Sequence, residues 1–174
     1  MNISELRARI VKNLSRRRHL KINTAGRRRA AVLILLYPDD GDVKIVFTVR
    51  SEEVAEHKGQ ISFPGGAWEK GDRSLLETAL RETFEETGIK VAKDHVIGRL
   101  DDTFVLVSNF VVSPFVVFLD GPPRPKLNTT EISQIIEIPL SRLYEAEERI
   151  IESGGRRIKS LVFTYGEYVI WGAT

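Results

Sequence analysis

The sequence contains no cysteine. That excludes disulfides, thiolate nucleophiles and cysteine-ligated zinc, and it fits the cytoplasmic location we expect. Long apolar runs are missing too. None approaches the ~20 residues a membrane-crossing helix needs, so no membrane partner is expected. The N-terminus is basic but lacks the continuous apolar stretch of a secretory signal. There are no repeats and no low-complexity segments. Aromatic residues are sparse at 8%, and none falls within residues 1–36. Proteins that hold unpaired bases stack them on aromatic rings, so this region does not read as a single-strand nucleic-acid binder. What is present, 174 residues of which 42% are hydrophobic and 29% charged, suits one globular domain over 1–174 with a buried core.

Charge of one sign is scarce only locally. The net charge is +2, yet residues 1–29 hold ten Lys or Arg against the single acid Glu5, about +9, which leaves about −7 for the rest. Within this basic segment, 1–28, Ile3, Leu6, Ile10, Val11 and Leu14 recur at helical spacing and predict an amphipathic helix of about three turns. The segment admits three uses: a solvated helix face on the domain, a hold on an anionic nucleotide or a second subunit in a homodimer, or salt-sensitive phosphate contacts to nucleic acid.

Further along, 29–37 is a nearly continuous apolar run, as in a strand covered on both faces. Turn residues 38–42 predict a hairpin to a strand over 43–50. A short strand is expected at 60–63, and further strands at 96–107, 110–119 and 132–138. Pro139 is placed to open a short helix through Glu145. A turn at 153–155 and a last hairpin, 158–164 with 168–171, follow. This pattern supports an α/β or α+β domain.

The most informative stretch is Arg81-Glu82-Thr83-Phe84-Glu85-Glu86-Thr87-Gly88-Ile89. Ser74 and Glu77 form a capping-box pattern that starts a helix at Leu75, and Gly88 stands where a terminating glycine belongs. Glu82, Glu85 and Glu86 then share one helical face, with Leu76, Leu80, Thr83, Phe84 and Thr87 opposite. Like charges at this spacing repel, and they crowd the negative end of the helix dipole. A solvated acidic face would tolerate them; a divalent cation with oxygen ligands would remove the cost.

This segment resembles the Nudix box of the Nudix hydrolases, G-x5-E-x7-R-E-U-x-E-E-x-G-U with U a bulky aliphatic residue. Arg81, Glu82, Glu85, Glu86, Gly88 and Ile89 match, while Thr83 departs at a U position. Counted from Gly66, the first Glu position holds Asp72, and one extra residue precedes Arg81. Upstream, Thr48, Arg50, Ser51, Gly59 and Phe63-Pro64-Gly65-Gly66 are similar to the signature of the coenzyme A pyrophosphatase branch. That signature has a second arginine where this chain has Ala55, followed by Glu56 and His57.

The resemblance implies an α/β/α sandwich with a mixed sheet and the box as a loop–helix–loop. The family fold usually closes with a C-terminal helix, whereas this sequence ends just past an expected strand, so either that helix is absent or the sequence is shortened. It further implies a Mg²⁺- or Mn²⁺-dependent pyrophosphohydrolase acting on a nucleoside diphosphate linked to another moiety. Coenzyme A or acyl-CoA leads; ADP-ribose, dinucleotides or nucleoside triphosphates are the enzymatic alternative. A nucleotide-sensing or RNA-binding module is the non-enzymatic one. The expected metal ligands are Glu82, Glu85, Glu86 and the Gly66 carbonyl. Arg81 is expected to orient a box glutamate through a bidentate contact, Glu82 or Glu131 to serve as general base with Glu85 in the catalytic set, and Arg50, Lys58 and His57 to meet the substrate. Asp72 is a weaker site candidate that could instead cap its turn.

Overall fold

The computed structural model describes residues 2–51, 59–153, 155–172 and 174. Its elements in chain order are α1 (Ile3–Arg16), β1 (Arg28–Asp39), β2 (Asp42–Arg50), β3 (Ile61–Ser62), β4 (Gly65–Ala67), α2 (Leu75–Thr87), β5 (Val96–Arg99), β6 (Thr103–Val105), β7 (Phe110–Phe118), β8 (Ile132–Pro139), β9 (Glu147–Ser153), β10 (Arg156–Tyr165) and β11 (Tyr168–Trp171).

The central sheet runs β3-β2-β1-β7-β5, with β4 also on β1, β6 on β7 and β8 on β2. β1 and β7 are parallel and the other pairs antiparallel, so the sheet is mixed. Strand alternation sorts its side chains into two layers. Ile34, Leu36, Ile45, Phe47, Val116 and Phe118 build one core, against which Ile3, Leu6, Ile10 and Leu14 of α1 pack. Ala31, Leu33, Leu35, Tyr37 and Val117 build the other, closed by Ala79, Leu75, Leu76 and Leu80 of α2. The result is the expected α/β/α sandwich. β9–β11 form a separate three-stranded antiparallel sheet whose Ile170 is buried in the α1-side core.

α1 forms where its apolar spacing predicts, though at 14 residues it runs longer than the three turns expected, and it opens on a capping box between Asn2 and Glu5. Arg7 pairs with Asp120 at 3.4 Å. The basic segment therefore lies on the domain with its apolar stripe inward.

Several sequence expectations change. The strand expected over 96–107 divides into β5 and β6, because Asp101 and Asp102 turn their carboxylates to the Leu20 and Ile22 amides and fasten the linker after α1. The helix expected from Pro139 through Glu145 is only a 3-10 turn, Leu140–Arg142, without a side-chain cap for its first amides. β4 and β9 were not expected; β9 is rich in charged residues and shows little apolar alternation. Phe84, placed by periodicity on the core side of α2, is 53% exposed, while Thr83 and Thr87 are buried.

One irregularity positions the site. β1 pairs with β2 over Leu36–Asp39 but with β4 over Ala30–Val32. β2 meanwhile continues along β3 and β8. The sheet thus splits beside the start of β1, and a cleft opens there.

Candidate active site

Local rules put α2 at this cleft. Ser74 Oγ accepts the Glu77 N–H at 3.2 Å and starts the helix. Gly88 ends it in the left-handed conformation at φ 67°, donating its N–H to the Phe84 carbonyl at 2.8 Å. Between these ends Glu82, Glu85 and Glu86 have three different surroundings.

Glu86 is only 4% exposed. Its Oε2 accepts the Gly65 N–H at 3.0 Å. Burial pushes its carboxyl up to about 7, and Glu82 and Glu131 push the same way; the Gly65 bond and Arg50 oppose. Glu82 is partly buried, and its carboxyl is also raised, first by desolvation and then by Glu85 and Glu131, against the pull of Arg81 at 3.0 Å. Glu85 differs. It is half-exposed and its carboxylate lies 2.8 Å from Arg81 Nη1.

Arg81 takes a different bidentate partner from the one expected. Its Nε and Nη2 donate to the two oxygens of Asp72, each at 3.0 Å. Asp72 also accepts from the Glu69 N–H and the Thr78 hydroxyl. Arg81 holds the Asp72 carboxyl well below the usual carboxylate range, and Asp72 in turn raises the guanidinium. Asp72 therefore ties the turn to α2 and aims Arg81, which reaches Glu82, Glu85 and the Ala67 carbonyl.

Glycine is required at the turn. A Cβ on Gly66 would lie 2.4 Å from Glu82 Oε2, and one on Gly65 would lie 2.3 Å from the Ala31 carbonyl oxygen. Backbone and carboxylate meet here at a distance no side chain permits.

A cavity of about 380 Å³ opens at this point, lined by Glu82, Glu86, Glu131, Arg28, Arg50 and the β4 backbone, among others. Glu131, from the loop before β8, thus reaches the box carboxylates, with Oε1 accepting from Asn128 at 3.2 Å. Arg50 lines the cavity, and its buried Nε has no hydrogen-bond partner among the described residues. His57 and Lys58, like Ala55, lie outside the described residues. Arg28 and Phe110 were not read from the sequence as site residues. Only the Cα register of β1 on β7, Arg28 beside Phe110, brings them together.

A second, more apolar cavity of about 240 Å³ adjoins the first. It shares Ala30, Arg50, Gly65, Gly66, Ser108 and Phe110 with it and extends to Val32, Phe63, Val105 and Trp171.

Glu85 stands apart from the Glu82–Glu86 pair, and among the described residues no three acidic or imidazole groups are gathered into a ligand shell. The donor set still suits a hard cation. It consists of carboxylate and backbone oxygens around two acids whose burial disfavours their charge, and a cation between them would offset that cost.

A model of the NUDIX domain matches residues 27–156. A protein of Pectobacterium atrosepticum named uncharacterized Nudix hydrolase NudL is 35% identical over 152 residues, covering 84% of this chain and 77% of that protein. The human mitochondrial coenzyme A diphosphatase NUDT8 is 33% identical over 153 residues, covering 83% and 64%. The Caenorhabditis elegans peroxisomal coenzyme A diphosphatase ndx-8 is 36% identical over 123 residues, 69% and 52%. Among solved structures, a MutT/nudix family protein from Enterococcus faecalis superposes with a TM-score of 0.57 at 15% identity, covering 94% of this chain and 57% of that one. The NUDIX domain of Shewanella oneidensis NrtR gives 0.53 at 17%, covering 81% and 85%. The fold is the Nudix fold, and the chain belongs to the Nudix hydrolase family. Hydrolases of this family generally use divalent metal ions such as Mg²⁺ or Mn²⁺. No helix among the described residues is long and apolar enough to cross a membrane.

Proposed function

We propose that this chain hydrolyses the diphosphate of coenzyme A or an acyl derivative, yielding adenosine 3′,5′-bisphosphate and (acyl-)phosphopantetheine, with Mg²⁺ or Mn²⁺ as cofactor. The observation that carries the reaction type is Glu86, buried beside Glu82 against the Gly65–Gly66 turn at the floor of a cavity. The substrate is supported by two relatives named coenzyme A diphosphatases. It is supported also by the apolar cavity that continues from the site and suits the organic arm of such a substrate.

The residues divide the work. Glu82, Glu86 and the Gly66 carbonyl would hold the cation, joined by Glu85 if its carboxylate leaves Arg81. The bound ion would supply charge neutralisation on the phosphoryl oxygens and activation of water. Gly65 fixes Glu86 through its N–H, and Arg81, anchored on Asp72, fixes Glu82. Arg50 brings an uncommitted Nε–H to the cavity and would bind a diphosphate oxygen. Glu131, on a different element from the ligands, would take the proton from the attacking water, as general base.

The test is product analysis with coenzyme A, ADP-ribose, a dinucleotide and a nucleoside triphosphate, each with Mg²⁺ and with excess EDTA. We expect adenosine 3′,5′-bisphosphate from coenzyme A with Mg²⁺ and none with EDTA. A strong preference for ADP-ribose would overturn the substrate, and no metal-dependent turnover of any of the four would overturn the enzymatic reading.

A further inference from the structure

Three successive arginines at the start of β1 each lie over an aromatic ring: Arg27 over Phe104 at 4.6 Å, Arg28 over Phe110 at 4.1 Å and Arg29 over Trp68 at 3.9 Å. Only Arg28 lines the carboxylate cavity. Its ring partner is its neighbour across the parallel β1–β7 pair, so the stack is built into the sheet register. A guanidinium beside three carboxylates would ordinarily close onto one of them. Among the described residues Arg28 makes no ion pair, although Glu82, Glu86 and Glu131 line the same cavity. The Phe110 face holds it by a cation–π contact that leaves the N–H groups at the edge of the guanidinium plane free to donate.

Arg28 and Arg50 are the two cations lining the cavity among the described residues. They differ in depth. Arg50 has a buried Nε and contributes favourably to the charge of Glu86, so it belongs with the scissile diphosphate. Arg28 is exposed and stands at the rim. We infer that Arg28, presented by Phe110, is a specificity residue that receives a terminal phosphate monoester of the substrate, one distinct from the diphosphate being cleaved. In the coenzyme A reading, on which this inference rests, that group is the 3′-phosphate. A monoester carries close to two negative charges at neutral pH, so a planar two-pronged donor at the rim would separate the phosphorylated substrate from its dephosphorylated form.

The experiment compares coenzyme A with dephospho-coenzyme A for the wild type, Arg28→Ala and Arg28→Lys, in Mg²⁺. Arg28→Ala should raise KM for coenzyme A about tenfold, the scale of one charge-assisted contact at an exposed site, with little change in kcat. The preference for coenzyme A over the dephospho form should collapse by the same factor. Arg28→Lys should restore part of it, since charge returns without the fork or the stack. Equal loss on both substrates, or no change in the preference, overturns the inference. If the wild type cleaves neither substrate, the functional reading fails while Arg28 is still judged by binding. Calorimetry would then compare adenosine 3′,5′-bisphosphate with AMP. A selectivity lost in Arg28→Ala supports the rim site, and no selectivity or one unaltered by the substitution refutes it.

Discussion

At the residue scale, neighbouring glutamates with the same chemistry have different surroundings. Glu85 and Glu86 are adjacent in sequence, yet one faces Arg81 near solvent and the other is buried against Gly65. Spacing made the cluster legible, because 82, 85 and 86 share a helical face in any helix. Spacing could not show which member is buried, since that depends on where the Phe63–Gly66 turn lands. Asp72 was equally opaque: its anchor on Arg81 is a contact between loop and helix that no periodicity encodes. Two predictions belong here. Gly66→Ala should remain folded and lose most turnover, because its Cβ would displace the Glu82 carboxylate; a variant with wild-type kcat/KM would disprove the close approach. Asp72 is held below its ordinary range, so its folded-state pKa is below the unfolded one. Its contribution is therefore full above the ordinary value of about 3.8 and is lost as pH falls below it. Asp72→Asn should lower the urea midpoint at pH 7 and flatten the acid limb of stability between pH 5 and 3. An unchanged limb would show that the pair contributes nothing to folding.

At the element scale, strongly patterned segments were readable and weakly patterned ones were not. α1, the β1–β2 hairpin, α2 with both its caps and the β10–β11 hairpin follow from periodicity and turn chemistry. The short β4 carries the turn itself and has too few residues to show a period, while β9 owes its place to pairing with β10. The helix expected after Pro139 gave way to a single 3-10 turn because nothing caps it. The docking of α1 is a tertiary matter as well: Gly98 of β5 meets Leu14, whose Cβ would lie 2.8 Å from an added Cβ. Gly98→Ala should therefore destabilise the protein by about 1–3 kcal/mol, the usual cost of overpacking, and speed amide exchange in α1 ahead of the sheet. Uniform acceleration across all elements, or none, would argue against a local docking contact.

At the scale of the whole molecule, the split in the sheet does what no single element could. β1 changes partner from β2 to β4, and the opening receives α2 carboxylates from one side, Glu131 from another and Arg28 with Arg50 from the strands. The sequence carried the residue types of this site, but their convergence depends on the strand order. A buried pair of acids is a cost to the metal-free fold. Glu86→Gln keeps an acceptor for the Gly65 N–H and removes the charge, so it should raise the urea midpoint of the metal-free protein while abolishing turnover. A variant that is both less stable and fully active would reverse the account. The most direct test of the central claim is calorimetric titration of Mn²⁺ into the metal-free wild type and Glu86→Gln. We predict one site in the wild type and at least a tenfold weaker one in the variant, about 1.4 kcal/mol or more. Equal affinity in the two proteins would show that the buried Glu82–Glu86 pair is not the metal centre.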